Sequence, residues 1–206
     1  HEGLLEAHAS GGFVVRAFSV ADAIDAIEIR GVLEGTAARV AAERIDDPRR
    51  LRRLREHLAS IDELLDDQEQ VVDFFDEYVA RNARFHDELM AVADSPLITR
   101  ALQHATSLPF ASANALVETQ AQLPIARRVL TVAQEHHRAI VEAIEAREGT
   151  RAEAVAREHA RLARTNLEAA IDADVGFEQF PGASLIQLGD EPLAQVDGHE
   201  SQQGNA

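Results

Sequence analysis

The sequence predicts an all-α protein: an antiparallel bundle of six to seven helices that follows two short strands. Ala, Leu, Val, Ile, Glu and Arg dominate, aromatics make up only 4%, and there is one Tyr and no Trp. That is the composition of packed helices rather than sheets. Apolar residues recur at three and four, as in Ile140, Val141 and Ile144, the period of a helix with one buried face. Helix-start signals punctuate short connections, which favour antiparallel neighbours. The 206 residues suffice for one sizeable core and an appendage.

The elements follow in order. The chain begins with His1 and reads as a fragment or a processed product. Leu4-Leu5 and Phe13-Val14-Val15 flank Ala9-Ser10-Gly11-Gly12, a pattern of two strands around a Gly turn. A lone hairpin is barely stable, so this one belongs to a larger module. Ser19 with Asp22 resembles a capping box, with Asp a shorter partner than Glu, and opens a helix over 19–45. Its stripe of Ile24, Ile27, Gly31 and Glu34 is interrupted at the glutamate. Asp47-Pro48 and Ser95-Pro96 place a cap residue before a first-turn proline, and Pro124 marks a further first turn. They mark helices over 48–66, 96–106 and 124–147, with others over 70–93 and 110–120. Thr150-Arg151-Ala152-Glu153 matches a capping box for a last helix over 150–172, just after Gly149, a stop for the helix before it. Beyond Ala173 lie five of the eleven Gly and two of the six Pro. Residues 173–206 therefore read as a tail, with a docked segment from Phe180 to Leu188 and a disordered end.

Composition excludes several classes of function. Without Cys there is neither a disulfide nor a thiolate zinc site, so any metal must take nitrogen and oxygen ligands. No apolar run approaches the ~20 residues of a membrane span, and no signal-peptide pattern is present; a cytoplasmic protein is expected. A net charge of −16 argues against this chain gripping nucleic acid by itself. Arg49, Arg50, Arg52, Arg53 and Arg55 are interleaved with Asp46, Asp47 and Glu56, and read as a solvated helix face.

One constellation suggests chemistry. His137 lies twelve residues before Gly149 and His159 ten after it, about 18 and 15 Å from the turn at 1.5 Å per residue. In an antiparallel hairpin they sit nearly level. His137 aligns with Ile140, Val141 and Ile144, and His159 with Val155, Leu162 and Asn166, so both face inward. Asn82 and His86, four apart, share a face with Val79, Leu89, Met90 and Ala93. Three imidazoles and an amide oxygen suit a divalent ion of the Zn, Ni or Mn class. His136 points about 100° from His137 and is expected at the surface, as are His57, His104, His199, His1 and His8. No Gly-rich phosphate loop, nucleophile elbow or Cys nucleophile appears. Asp87, Glu88, Glu135 and Glu158 lie on less buried faces, poorly placed as general bases. A metal-dependent enzyme on a helical bundle stays open as an alternative, as does an oligomerisation domain with packed, metal-free histidines.

At this point the chain resembles a family. Glu28-Ile29-Arg30-Gly31-Val32-Leu33-Glu34 with Ala37-Ala38 and Ala41-Ala42-Glu43 looks like the opening helix of the FCD ligand-binding domain of GntR-type transcription regulators, FadR/VanR type. Asn82 to His86, Asp94-Ser95-Pro96-Leu97, His137 to Ile144 and His159 follow that family's order over about residues 20–171. The resemblance implies an effector-binding, dimerising domain at 19–172 and, at 1–18, the wing of a winged helix-turn-helix domain. Operator DNA would be read by the part upstream, and the regulator is expected to act as a repressor rather than an enzyme. Many members bind a divalent metal through Asp and three His, the Asp four residues before the first His; here that position is Asn82. A neutral ligand set leaves the charge of the ion uncompensated and favours an anionic effector, whereas members without the full set take larger ligands such as acyl-CoA. A small organic acid is expected, with Arg30 and Arg127 as its anion partners. Leu108-Pro109-Phe110-Ala111-Ser112-Ala113 is similar to the vanillate-type subgroup, which points to an aromatic acid.

Overall fold

The computed structural model describes residues 4–66, 74–115, 117, 126–173 and 182–188. Among these, six α-helices form an all-α bundle: α1 (Val20–Arg44), α2 (Arg52–Asp66), α3 (Phe74–Ala93), α4 (Pro96–Ala105), α5 (Ala126–Glu145) and α6 (Gly149–Ala173). None of the described helices is long and apolar enough to cross a membrane.

Ahead of the bundle, β1 (Leu5–Ala7) pairs antiparallel with β2 (Phe13–Val15). The turn runs through Gly11 and Gly12 at φ 94° and 89°, a region costly for any side chain. Phe13 is 75% exposed, an apolar surface this chain leaves uncovered. A second, parallel pair joins β3 (Phe18–Ser19) to β4 (Ile186–Gln187). Residues 182–188 thus return to the start of α1, where Ile186 and Ala183 are buried with Phe18 and Phe110. The rings of Phe18 and Phe110 meet edge-on at 5.2 Å. Phe180 and the polar end of the chain lie outside the described residues.

The capping box at α1 closes in both directions. The Ser19 hydroxyl accepts from the Asp22 N–H at 3.1 Å, and the Asp22 carboxylate accepts from the Ser19 N–H at 2.8 Å. Those backbone and side-chain hydrogen bonds hold Asp22 below its ordinary pKa. The helix then buries Ala23, Ala26, Gly31, Gly35, Ala38 and Ala42 against α6 and its neighbours. Small residues let the two backbones come close. A Cβ at position 31 would stand 2.9 Å from Ala160 Cβ, and one at position 35 would stand 3.0 Å from the Glu153 carbonyl oxygen. That approach brings Arg30 and Glu34 of α1 under α6.

Several element boundaries differ from expectation. Residues 48–51 form a 3-10 turn before α2, capped by Asp47, whose carboxylate accepts from Arg49 N–H at 2.9 Å. The helix expected over 110–120 begins as a 3-10 turn at Pro109–Ala111; residues 116 and 118–125, with Pro124, lie outside the described residues. The largest correction is at the α5–α6 turn, where α6 starts at Gly149, so Thr150 sits inside its first turn. Arg147 rather than Gly149 takes the left-handed position, at φ 60°. The Glu148 and Arg147 N–H groups bond back to the Ala143 and Ile144 carbonyls at 2.8 and 3.1 Å, which is a Schellman closure. An arginine fits there because its guanidinium donates to the carbonyls of Ile45 and Glu43 at the end of α1. Gly149 serves packing instead, since its Cβ would meet Arg39 Cγ at 3.1 Å.

Candidate metal centre

The core places three helices so that their inward polar positions meet. Phe85, fully buried, anchors α3 and lies 4.2 Å, ring to ring, from His137. His86 is 9% exposed and His137 fully buried, and His159 is partly buried. Their Nε2 atoms converge: His137 to His159 is 3.2 Å and His159 to His86 is 3.3 Å. All three ligand atoms lie within 4.8 Å of one another, so the trio can hold a metal ion.

The hydrogen bonding around the trio bears on whether an ion fits. His137 Nδ1 is 3.0 Å from Gln134 Oε1. A carbonyl oxygen only accepts, so the proton of neutral His137 resides on Nδ1 and its Nε2 is a bare lone pair. Burial, with the facing His159 and His86, holds His137 well below the ordinary histidine value. Burial and His86 do the same for His159. With both rings neutral, the converging nitrogens have too few protons to satisfy every lone pair, whereas an electrophile at their centre satisfies all three. Tetrahedral coordination at Zn–N distances of about 2.0–2.1 Å requires N···N edges of about 3.3 Å, close to the two shorter edges here. The donor set fits a divalent ion.

Asn82, 3% exposed, completes the picture on α3. Its amide Nδ2 donates to Asn114 Oδ1 at 2.8 Å, and Asn114 Nδ2 donates to the Val79 carbonyl at 3.2 Å. That orientation leaves Asn82 Oδ1 buried without a partner, as an oxygen donor to a cation would be. Asn82, His159, Arg30, Tyr78 and Asn166 share the wall of a cavity of about 40 Å³. Leu130, Ala133 and Leu162 are among its apolar lining.

Arg30 is 2% exposed; its Nη2 donates to the Ala160 carbonyl at 3.3 Å, and its Nε has no partner. Arg127 is placed differently. It is exposed on α5, its guanidinium lies 4.7 Å over the Phe74 ring, and it is not among the cavity-lining residues.

Two neighbours of the site were not anticipated. Glu34, 4% exposed, brings Oε1 to 3.3 Å from His86 Nδ1. Burial alone would raise its pKa; the facing His86 and Arg30 outweigh that and hold it at about 2. The signal was present: Glu34 falls four residues after Arg30 on the buried stripe of α1, where it reads as an interruption. His136, expected at the surface, is half-buried, with its ring 6.1 Å from that of His159. The α5–α6 interface extends around the helix far enough to cover it, and burial lowers its pKa.

The family model of the FCD domain matches residues 25–162, a stretch that spans Arg30, Glu34, Asn82 and all three histidines. No curated protein matches the chain.

Proposed function

The chain belongs to the FCD domain family, the C-terminal effector-binding domain of GntR-family regulators, and on that premise we propose that it senses a small organic acid through a bound divalent metal. His86, His137 and His159 are the metal ligands, with the Asn82 carbonyl oxygen as a fourth. The observation that carries this reading is the convergence of three Nε2 atoms at 3.2 and 3.3 Å, with a neutral ring and a bare lone pair at His137.

A metal of the Zn, Ni or Mn class supplies Lewis acidity that binds a carboxylate. The chain's own groups do the rest. Arg30 Nε, buried and unpaired at the cavity wall, is placed to pair with the anionic group. Leu130, Ala133 and Leu162 exclude water from its apolar part. At about 40 Å³ the cavity has room for a few waters, so a carboxylate group fits as it stands, an aromatic acid requires the lining to open, and an acyl-CoA requires far more. Arg127, stacked on Phe74 outside this lining, contributes at most through α5. The acid is held among side chains of α1, α3, α5 and α6, so binding favours one mutual arrangement of those helices, which shifts a pre-existing equilibrium.

The regulator that contains this domain is proposed to act as a homodimeric repressor in the cytoplasm. Residues 1–18 would be the wing of its winged-helix head, and DNA would be read through the upstream part of that head. The uncovered Phe13 face of the hairpin supports that role for the wing. An enzyme reading is disfavoured because the carboxylate against the trio, Glu34, faces His86 Nδ1 at 3.3 Å, on the side of the ring away from the shared point, where it is poorly placed as a general base.

The test is metal analysis of untagged protein, followed by thermal shift with a panel of aromatic and aliphatic carboxylates. Stoichiometric metal, and stabilisation by an acid only in its presence, are expected. Protein that neither carries nor takes up Zn or Ni would refute the proposal.

A further inference from the structure

Two of the three histidines are each backed by a buried polar side chain that reaches them from the side away from the shared point. On α5, Gln134 is 1% exposed and sits one turn before His137. Its orientation is unambiguous because its amide nitrogen faces two acceptors, the Leu58 carbonyl at 3.0 Å and the Asp62 carboxylate. Oε1 must therefore be the atom 3.0 Å from His137 Nδ1. Asp62 is itself held by Arg138 Nη2 at 2.6 Å, so α2 and α5 together fix the amide.

On α1, Glu34 plays the corresponding part for His86. Its Oε1 lies 3.3 Å from His86 Nδ1, an ion-pair contact rather than a closed hydrogen bond. Electrostatics still favours one arrangement: a carboxylate attracts an N–H and repels a bare nitrogen lone pair. Glu34 Oε2 has no hydrogen-bond partner; the Arg30 charge also faces the carboxylate and keeps it ionised. His86 Nδ1 and His159 Nδ1 are both buried without a closed hydrogen bond, but among the described residues only His86 has a carboxylate against that nitrogen.

We infer that Gln134 and Glu34 are positioning residues that fix the proton of His137 and of His86 on Nδ1, so that both rings present a bare Nε2 to one point. His159, without such a backing group, is the ligand left free to adjust. The inference deepens the metal-centre reading and rests on it, but its first consequence concerns the metal-free protein. Backing groups of this kind orient metal-bound imidazoles, and their loss typically lowers metal affinity by about 10–100-fold. The inference also ties α2, which carries no ligand, to the site through Leu58, Asp62 and Gln134.

The experiment uses the full chain, stripped of metal and labelled with ¹⁵N-histidine, at pH 8. Long-range ¹H–¹⁵N spectra read which ring nitrogen carries each proton, a property that a merely structural role would not move. Wild type is expected to show His137 and His86 protonated on Nδ1. Gln134→Leu is expected to lose that preference at His137 alone, and Glu34→Leu at His86 alone. Each should weaken zinc binding, measured by chelator competition, by about 10–100-fold with unchanged helical circular dichroism. Should Glu34→Leu fail to fold, Gln134→Leu decides the tautomer arm and Glu34→Gln the affinity arm. Wild-type His137 protonated on Nε2, or variants that keep both tautomer and affinity, would overturn the inference. Wild type with the expected tautomers and no zinc binding would instead overturn the metal-centre reading while leaving the positioning of the rings intact.

Discussion

Gly31→Ala places a methyl group where α1 meets α6. Its Cβ would stand 2.9 Å from Ala160 Cβ, whereas two non-bonded carbons settle at about 3.5–4.0 Å. The obstruction is a backbone-fixed methyl that cannot rotate away, so the helices must part by several tenths of an ångström to about 1 Å. Overpacking of this kind costs about 1–3 kcal/mol. The better helix propensity of Ala returns about 1 kcal/mol, so the net destabilisation is expected at up to about 2 kcal/mol. A second effect is more diagnostic. Ala160 adjoins His159, whose Nε2 is set 3.2 and 3.3 Å from its partners, so a displaced α6 should also weaken zinc binding. Urea denaturation of metal-free protein measures the first effect and chelator competition the second. Ala160→Gly removes the opposing methyl, and in the double variant it should restore spacing and affinity, with a coupling of about 1 kcal/mol or more. A Gly31→Ala protein more stable than wild type with undiminished zinc affinity, or a double variant without rescue, would refute close helix contact as the reason for this glycine.

Other expectations follow from the site. His137→Ala should abolish metal-induced stabilisation, which for wild type amounts to about 2.7 kcal/mol at a free metal concentration 100 times Kd; a shift that persists in thermal melts would place the metal elsewhere. Folding holds His137 and His159 well below their ordinary value, so only the unfolded chain takes up those protons as pH falls through about 6.5. Stability of the metal-free protein should therefore be full above about pH 6.5 and decline below it, and urea midpoints flat from pH 8 to 5 would contradict this. Arg30→Gln should weaken carboxylate binding, by calorimetry, at least tenfold while zinc affinity changes little; equal losses in both would make Arg30 a structural rather than an anion-pairing residue.

The histidines were legible because their geometry is local. An i, i+4 spacing fixes Asn82 and His86 on one face whatever surrounds them. The turn between α5 and α6 sets His137 against His159 by counting rise per residue, and the count survives although Arg147 and not Gly149 takes the left-handed position. Glu34 was hidden by the same logic that exposed the histidines. A single carboxylate on an apolar stripe reads as a defect until the helix opposite supplies its partner, 52 positions away in the chain at His86. Gln134 carries no signal of its own, since glutamines are ordinary on helix surfaces and only α2 shows what its amide holds. The expectation for His136 failed because a helical angle gives direction relative to a neighbour, not how far the next helix reaches around. Arg127 illustrates the same limit, since helical spacing placed it near the histidine face and the structure stacks it on Phe74.

By itself the sequence determined the all-α class, most helix starts, and the three residues whose ring nitrogens converge, because periodicity, caps and proline act within a few residues of themselves. Tertiary structure decided how close α1 lies to α6, which side chains back the histidines, and where the cavity opens. Those depend on the mutual approach of helices distant in sequence, and here that approach is set by residues whose contribution is the absence of a side chain, Gly31 and Gly35.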